Sequence, residues 1–531
     1  MSAVSFGALL LAVSSLASRG LGVLRDSVFA HVFGIGSTGG TFALDAYFVA
    51  FKIPDFLYTL LILGAMSTAF IPMYMGLRQK ESEEKASLFA SRVIVLLFAF
   101  LPVLSVVAFF AAPYLMPLLA PGFTPELQDI SVSLTRIMLI SPFFMGLSGL
   151  FQGIENAHKR FLGLALAPIF YNLAIIASAW FFGAVYGVYA LAVGVCVGAL
   201  LHFLVQVPGT LVTSFHFKIK RPLWDKDIKE FFILLIPRLA GNIIFQATIF
   251  VDTILATTLA LGSLSIYSYA LNLESLPYGV VAVSFSTAVF STLTEHADHH
   301  ENFFATLKQT FSRVLFWVIP ATIGLYLLRE PVVRVILGGG QFNEEAVRMT
   351  TLMLGFFVWA AIPQSMIPLF SRAFYSRKET WLPVKLGMIG MFSCIILGVF
   401  FIKGLGLPIY GLAFSNVIAT LIYALLMALF LLKQIKRSPF ELIDWHFFAS
   451  IGAALVMMIS TLLLTIHYLA DRPLWLLLVG VSGGGAVYLG VYGGVKKLLS
   501  APSDNSKCKN EGFSARKIIY SAFIMRELIH Q

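Results

Sequence analysis

The chain has 531 residues, of which 58% are hydrophobic and only 12% are charged. Soluble domains carry about 25% charged residues, so this chain has too few to cover a surface facing water. We predict an all-α polytopic membrane protein. The net charge of +10 does not indicate a nucleic-acid partner, because the basic residues cluster in short loops between apolar runs, where they set membrane topology.

Apolar runs of about 20 residues, the length that crosses a bilayer, recur fourteen times along the chain. Loops rich in Lys and Arg alternate with loops nearly free of them, as expected when no span has been missed. Both termini are therefore predicted to be cytoplasmic. The expected spans lie near residues 3–31, 43–76, 88–119, 128–156, 161–183, 186–213, 230–260, 264–294, 303–337, 345–375, 382–403, 408–435, 445–468 and 473–497.

An internal repeat is visible in polar landmarks that recur in the same order about 220 residues apart. The Ser-Arg-Val triplet at 91–93 returns at 312–314, and the basic pair at 159–160 matches the pair at 377–378. Each unit holds an even number of spans, so both units enter the membrane in the same orientation. Such a parallel repeat predicts two six-helix lobes around a central site, with access alternating as the lobes rock.

The repeat predicts four regions along the chain. A first lobe is expected over 1–215 and a second lobe over 216–440, followed by two additional transmembrane helices over 441–498. The remaining stretch, 499–531, is predicted to be a cytoplasmic tail. Its sequence is polar and basic at first and then amphipathic, so we expect a disordered linker followed by a surface helix.

Ionic side chains interrupt the otherwise apolar stretch 19–72 at Arg19, Arg25, Asp45 and Lys52. A charged side chain at the centre of a membrane helix costs roughly 2.5–3.5 kcal/mol on insertion scales, so such groups usually face a watery cavity. The stretch therefore indicates a substrate path. An alternative stays open for Arg25, which could pair with its neighbour in sequence at the membrane surface.

Three runs in the first two spans resemble the signature of the MurJ (MviN) lipid II flippases, in the multidrug/oligosaccharidyl-lipid/polysaccharide exporter superfamily. They are SRGLGVLRDSVFAHVFGIGS, DAYFVAFKIPDFLY and GAMSTAFIP, and the similarity continues in REPVVRVILGGGQF and SRAFYSRKETWLPVK. The resemblance covers nearly all of residues 1–498. It implies two lobes in a V around a cationic cavity that binds the pyrophosphate and sugars of an undecaprenyl-linked peptidoglycan precursor. The two extra helices would form a groove for the lipid tail.

The resemblance carries functional positions onto Arg19, Arg25 and Asp45, and we add Lys52 and Asn272 to the expected substrate-binding set. Arginine presents a planar fork of donors to phosphate oxygens and stays charged at any working pH. Asp45 is expected to hold an arginine in place or to help release the anion.

The chain also departs from the family pattern. Where the family has an arginine pair in the second span, this chain continues from Pro54 and Asp55 to Tyr58, and Asn272 stands where another arginine is expected in the eighth span. The anion-binding cluster is therefore smaller than the family pattern implies.

A sodium site is the other feature that the resemblance suggests, with Asp252 of the seventh span as the candidate ligand. Two further positions that supply oxygen ligands in such members are Cys394 and Gly398 here, neither of which offers a hard side-chain oxygen. A structural pair between Asp252 and Arg238 is the alternative. No cofactor is expected beyond coupling to a sodium ion or to the membrane potential.

The expected function is to flip lipid II across the bacterial inner membrane for cell-wall synthesis, with an undecaprenyl-linked glycan lipid and membrane lipid as partners. Two alternatives remain, a flippase for another lipid-linked oligosaccharide and a non-transporting scaffold derived from a flippase. A drug antiporter would not need arginines in the first span. A membrane glycosyltransferase should carry a catalytic loop outside the membrane, but the loops at 120–127 and 338–344 are short, so we do not expect an enzyme.

Overall fold

The computed structural model describes residues 3–36, 40, 43–59 and 69–500. Within these ranges the chain is helical without a β-strand, apart from one isolated bridge between Gly339 and Phe342. The all-α class is therefore confirmed. Eleven helical stretches of the described chain are long and apolar enough to cross a membrane, and each coincides with one of the expected spans. The count of fourteen spans stays a prediction, and the expected tail structure lies outside the described residues.

The first lobe comprises helices α1 to α9. Polar caps begin several of them, as when the side chain of Ser82 accepts a hydrogen bond from the α4 backbone and that of Thr124 accepts one from α5. The helices are α1 (Ala3–Phe33), α2 (Leu44–Tyr58), α3 (Ile71–Lys80), α4 (Glu83–Leu119), α5 (Pro125–Met138), α6 (Ser141–Ala157), α7 (Leu162–Tyr186), α8 (Val188–Leu204) and α9 (Val207–Leu211).

The second lobe and the additional helices comprise α10 to α19. They are α10 (Lys226–Thr257), α11 (Ser263–Glu295), α12 (His300–Leu327), α13 (Arg329–Ile336), α14 (Glu344–Phe357), α15 (Ala361–Ser376), α16 (Trp381–Val399), α17 (Tyr410–Gln434), α18 (Trp445–Leu469) and α19 (Pro473–Ser500). The lobe boundaries at 215 and 440 stay predictions.

Three expected spans are not single helices. The span near 128–156 divides into α5 and α6, the span near 345–375 divides into α14 and α15, and the span near 303–337 divides into α12 and α13. Proline has no backbone N–H to donate and is favoured in the first turn of a helix. Pro142, Pro331 and Pro363 lie in the first turns of α6, α13 and α15, so each marks a new helix start.

The repeat is visible in the backbone as well as in the sequence. The broken pair α5 and α6 corresponds to the broken pair α14 and α15. Each pair ends in a tight turn with a lysine in the left-handed region, Lys159 with φ 57° and Lys378 with φ 64°. A non-glycine residue with positive φ is uncommon, so the shared turn supports a common origin of the two units.

The two lobes share one hydrophobic core at one end of the bundle. This core joins residues of α1, α2 and α5 from the first lobe to residues of α10, α11 and α14 from the second. At the other end each lobe has a core of its own, except that the start of α10 packs on α4. We call the shared end, with residues 34–36 and the loops at 120–124, 258–262 and 338–343, the sealed end. The opposite end, with the turns at 81–82, 158–161, 296–299 and 377–380, is the open end.

Backbone contacts across the lobes close the sealed end. The amide of Gln341 donates to the carbonyl oxygen of His31 over 2.9 Å. A Cβ atom at Gly122 would overlap the backbone of Thr257, and one at Gly340 would overlap that of His31. Gly340 also has φ 57°, so glycine is required there for both its conformation and its closeness to the other lobe.

The additional helices α18 and α19 pack on α12 and α13 of the second lobe. Buried apolar residues of all four helices form a separate small core that includes Leu328, Met458 and Leu476. The hydroxyl of Tyr488 donates to the carbonyl oxygen of Phe316 over 2.9 Å. The pair therefore extends one flank of the second lobe, away from the interface between the lobes.

Candidate functional site at the interlobe face

The candidate site is the face that α1 and α2 of the first lobe turn toward α10 and α11 of the second lobe. Arg19 lies there half-buried, and its guanidinium donates to the carbonyl oxygen of Gly279 in α11 over 3.0 Å. A Cβ atom at position 279 would overlap the guanidinium. Arg19 has no ion-pair partner within the part of the chain that the structure describes, so its charge is available to an anion.

Arg25 lies two turns further along α1 and is held by a carboxylate. Its guanidinium contacts Asp26 Oδ1 at 3.1 Å and Asn172 Oδ1 of α7 at 3.5 Å. Asp26 accepts a second hydrogen bond on Oδ2 from the amide of Asn272 in α11, over 2.7 Å. Asp26 is only 6% exposed, so this pair lies between helices and not at the surface of the protein.

Asp26 therefore holds Arg25 within the first lobe and links that lobe to the second through Asn272. Sequence reasoning found both of these residues and considered Asp26 as a partner of Arg25 at the membrane surface, but it did not predict the bond from Asn272 to Asp26 or the contact with Asn172. A polar residue inside an apolar run, such as Asn172 within YNLAII, is the signal that could have indicated a partner for the arginine. Asn272 binds Asp26 in the position where an arginine was expected.

Lys52 of α2 lies among carboxylates. Its ammonium group is attracted electrostatically by Asp55 of the same helix and by Asp252 of α10, without forming an ion pair with either among the described residues. Asp55 in turn accepts a hydrogen bond from the side chain of Gln246. With two acidic neighbours for one lysine, this part of the face is not a free cationic surface.

Asp45 lies apart from the arginines, at the sealed end. Its side chain is 1% exposed, and it accepts hydrogen bonds from the backbone amides of Gly262 over 2.8 Å and Ser265 over 2.7 Å. These are amides at the start of α11, where N–H groups lack partners within the helix. Asp45 of the first lobe thus caps a helix of the second lobe, and its role toward an anion stays a prediction.

Tyr58, where a cation was expected, packs with the apolar residues of the first lobe's open-end core. The structure thus groups Arg19, Arg25 and Asn272 along α1 and α11, and places Lys52 and Asp252 together on a neighbouring patch. Asp45 is separate from both groups.

The surroundings of Asp252 do not fit a sodium ion. Its carboxylate accepts a hydrogen bond from the hydroxyl of Tyr267 over 2.7 Å, and the helix that packs against α10, α16, carries the Cys394 thiol at an expected ligand position. A thiol is a soft ligand, whereas sodium-like hard cations prefer oxygen. Ser415, also close to Cys394, donates its hydroxyl to a backbone carbonyl. The side chain of Arg238, the expected alternative partner, lies outside the described part of the chain.

The architecture is that of a membrane transporter built from two repeated lobes, with ionic groups on the helices where the lobes face each other. A family model described as lipid II flippase MurJ matches residues 29–478. The chain therefore belongs to the MurJ family, as its first two spans predicted.

Individual relatives agree with this assignment. A probable lipid II flippase MurJ from Bdellovibrio bacteriovorus is 30% identical over 443 residues, which is 81% of this chain and 82% of the relative. A solved structure of lipid II flippase MurJ in an inward closed conformation superposes with a TM-score of 0.75 at 27% identity, over 92% of this chain and 98% of the other. An inward-facing MATE family transporter of the MOP superfamily shares the fold, with a TM-score of 0.67 at 12% identity over 79% and 94% of the two chains.

Proposed function

We propose that this protein flips lipid II, the undecaprenyl-pyrophosphate-linked peptidoglycan precursor, across the bacterial inner membrane for cell-wall synthesis. The observation that carries the proposal is Arg19, a cation without an ion-pair partner in the described chain on the face between the lobes. Membership of the MurJ family supports the choice of substrate.

The pyrophosphate binds first at Arg19 and Arg25. Arg25 already donates from Nε and Nη2 to Oδ1 of Asp26, over 3.3 and 3.1 Å, and a phosphate oxygen can take the place of that carboxylate oxygen. Asp26 keeps its hydrogen bond from Asn272 when Arg25 turns to the substrate. The pyrophosphate therefore exchanges one charge pair for another, without leaving an arginine unpaired between the lobes.

Transport then requires the lobes to separate at the sealed end and to approach at the open end. The contacts that must break include the Gln341 to His31 hydrogen bond and the cap that Asp45 provides to α11. Both are hydrogen bonds between lobes and can re-form in each cycle. We derive no step through sodium at Asp252. Moving an anionic headgroup outward is instead favoured by the membrane potential, by roughly 2.3 kcal/mol per charge for each 100 mV.

The lipid tail stays in the membrane while the headgroup crosses. The helices α18 and α19, which pack on α12 and α13, supply the flank along which the tail lies. No bond in the substrate is made or broken in this sequence, so the protein acts as a transporter and not as an enzyme.

The orientation follows from the charge of the loops. The open end carries the basic residues of the connecting turns, including Arg78, Lys159, Arg377 and Lys378. Basic loops stay on the cytoplasmic side of the inner membrane. The open end therefore faces the cytoplasm, where lipid II is made, and both termini are cytoplasmic.

The test is replacement of the endogenous lipid II flippase in a bacterium by this chain. We expect growth to be supported by the wild type, lost with Arg19→Ala, and strongly reduced with Arg25→Ala. Arg348→Ala is the matched control, since Arg348 is an exposed residue paired with Glu345 on α14, and surface pairs contribute little. The abundance of each variant in the membrane is measured by immunoblot.

Two results would reject the proposal. Growth that depends on neither arginine would exclude the anion-binding mechanism. If neither the wild type nor any variant supports growth, despite normal abundance in the membrane, the result would favour a flippase for another lipid-linked oligosaccharide or a non-transporting scaffold.

A further inference from the structure

A buried carboxylate in the first lobe, far from the interlobe face in sequence, has no bonding partner. Glu155 lies near the end of α6 at the open end, and its side chain is 0% exposed. Neither carboxylate oxygen has a hydrogen-bond partner in the described chain. An ionised carboxylate is not stable inside a protein unless it is paired or coordinates a metal ion.

Two glycines enclose this carboxylate. A Cβ atom at Gly163, at the start of α7, or at Gly209, in α9, would overlap the oxygens of Glu155. The side chain thus occupies the space that two other side chains would fill. Three segments of the first lobe, α6, α7 and α9, leave room at one point for this group.

The fold itself does not need a carboxylate at this position. Glu155 stands four residues before Lys159, whose left-handed conformation is repeated by Lys378 in the second lobe. The residue four before Lys378 is Phe374, which is also 0% exposed. The equivalent position of the second lobe is therefore an ordinary apolar core residue.

Other oxygens without partners lie on both sides of Gly209. Gln206 donates its amide to the Ser148 hydroxyl and to the carbonyl oxygen of His202, which leaves its Oε1 buried and unpaired. Thr210, one helical turn further on, has a buried hydroxyl that is also unpaired. The segment that carries Gly209, whose Cβ would overlap Glu155, therefore also holds a buried amide oxygen and a buried hydroxyl oxygen without partners among the described residues.

No positive side chain neutralises this group directly. The backbone amide of Arg160 donates to the main-chain oxygen of Glu155 over 2.8 Å. Its guanidinium is exposed and attracts the carboxylate electrostatically, but it forms no ion pair with it among the described residues. His202 is held by the hydroxyl of Ser148.

We propose that Glu155, Gln206 and Thr210 form a binding site for one sodium ion in the first lobe. Carboxylate, amide and hydroxyl oxygens are the hard donors that such a cation prefers. A single carboxylate balances one positive charge, which selects a monovalent ion. The site is separate from Asp252, whose surroundings include a thiol, and it does not depend on the identity of the transported lipid.

The test measures the thermal stability of the purified full-length protein in detergent as NaCl replaces choline chloride at constant ionic strength. An ion that binds only the folded state raises the melting temperature in a saturable way. We expect this rise in the wild type and its loss in Glu155→Gln. Glu274→Gln is the matched control, because Glu274 is equally buried with both oxygens unpaired but lies in the second lobe; it should keep the response.

Thr210→Val keeps the proposal testable if Glu155→Gln does not fold. Valine has the shape of threonine without the hydroxyl, so the variant should fold. Because one ligand is lost, we expect it to need about tenfold more sodium to reach half of the maximal rise in melting temperature. The proposal is overturned if the wild type shows no saturable response to sodium, or if Thr210→Val and Glu155→Gln respond as the wild type does. It is also overturned if Arg160→Gln destabilises the protein as much as Glu155→Gln and sodium has no effect on either.

Discussion

Asp26 makes the two arginines of α1 differ in how they can bind a substrate. It pairs with Arg25 and accepts a hydrogen bond from Asn272, whereas Arg19 donates only to a backbone carbonyl. The two arginines are therefore not equivalent. Arg19 is ready to bind an anion, and Arg25 must first leave its carboxylate, so we expect the first to set the affinity and the second to couple binding to movement of the lobes.

Gly279→Ala tests the position of Arg19 without changing its charge. The added methyl would overlap the guanidinium and push it from α11, so we expect flipping to fall at least tenfold while the protein remains folded. The measurement is growth and lipid II accumulation in cells that depend on this chain. The control is Gly452→Ala in α18, where no atom lies within 4 Å of an added Cβ. Equal activity of the two variants would show that the Arg19 contact with α11 is not needed.

At the scale of single residues the sequence predicted the charged residues, and it offered Asp26 as a partner of Arg25, but it did not predict the contacts between the lobes. Arg19, Arg25 and Asn272 were found because polar side chains are costly in apolar spans. The bond from Arg19 to Gly279 and the bond from Asn272 to Asp26 each join residues about 250 positions apart. Periodicity within one helix carries no information on such contacts. Glu155 was missed for the same reason, since its enclosure by Gly163 and Gly209 depends on three separate segments.

The element that connects the site to the sealed end is α11. Its first turn is capped by Asp45 from the other lobe, and further along it carries both Asn272 and Gly279. One helix thus contacts the first lobe both at the sealed end and at the arginines. Opening of the sealed end moves α11 relative to α1, and this movement changes the environment of both arginines.

Asp45→Ala tests this connection. Loss of the cap leaves two buried amides without an acceptor, which costs roughly 1–3 kcal/mol. Because Asp45 and these amides belong to different lobes, the loss destabilises the state in which the sealed end is closed. We expect a lower melting temperature of the purified protein and faster alkylation of a cysteine introduced at Ala256, which is buried in the core shared by the lobes. Asp129→Ala, an exposed aspartate of α5, should change neither quantity, and an unchanged alkylation rate in Asp45→Ala would contradict the link.

The positions of the helices were predicted more fully than their interruptions. Apolar runs of bilayer length placed each of the eleven membrane-crossing helices. The breaks before Pro142 and Pro363 were not predicted, because a proline inside an apolar run is compatible with either a kink or a new helix start. Packing against other helices of the same lobe, which a single apolar run does not record, decides between them.

The whole molecule is asymmetric along the membrane normal. One core joins both lobes at the sealed end, whereas separate cores stabilise them at the open end. Such an arrangement allows the lobes to rotate about the joined end. The parallel repeat predicted the two lobes, but the state of the molecule depends on contacts between lobes and could not be deduced from either repeat alone.

The orientation of the molecule can be tested by cysteine labelling in intact cells. With Cys196, Cys394 and Cys508 replaced by serine, we expect a cysteine at Gln341 to react with a membrane-impermeant maleimide from outside. A cysteine at Lys436, in a basic loop at the open end, should react only after lysis, because basic loops are retained in the cytoplasm. The opposite pattern would place the open end outside and would contradict the proposed direction of transport.

The central claim is that Arg19 and Arg25 suffice to carry a pyrophosphate-linked headgroup between the lobes of this protein. The most direct measurement is the rate at which purified protein in liposomes moves labelled lipid II between leaflets. The account predicts flipping by the wild type, none above protein-free liposomes for Arg19→Ala, and a rate for Arg348→Ala equal to that of the wild type. Flipping by Arg19→Ala at the wild-type rate would contradict it.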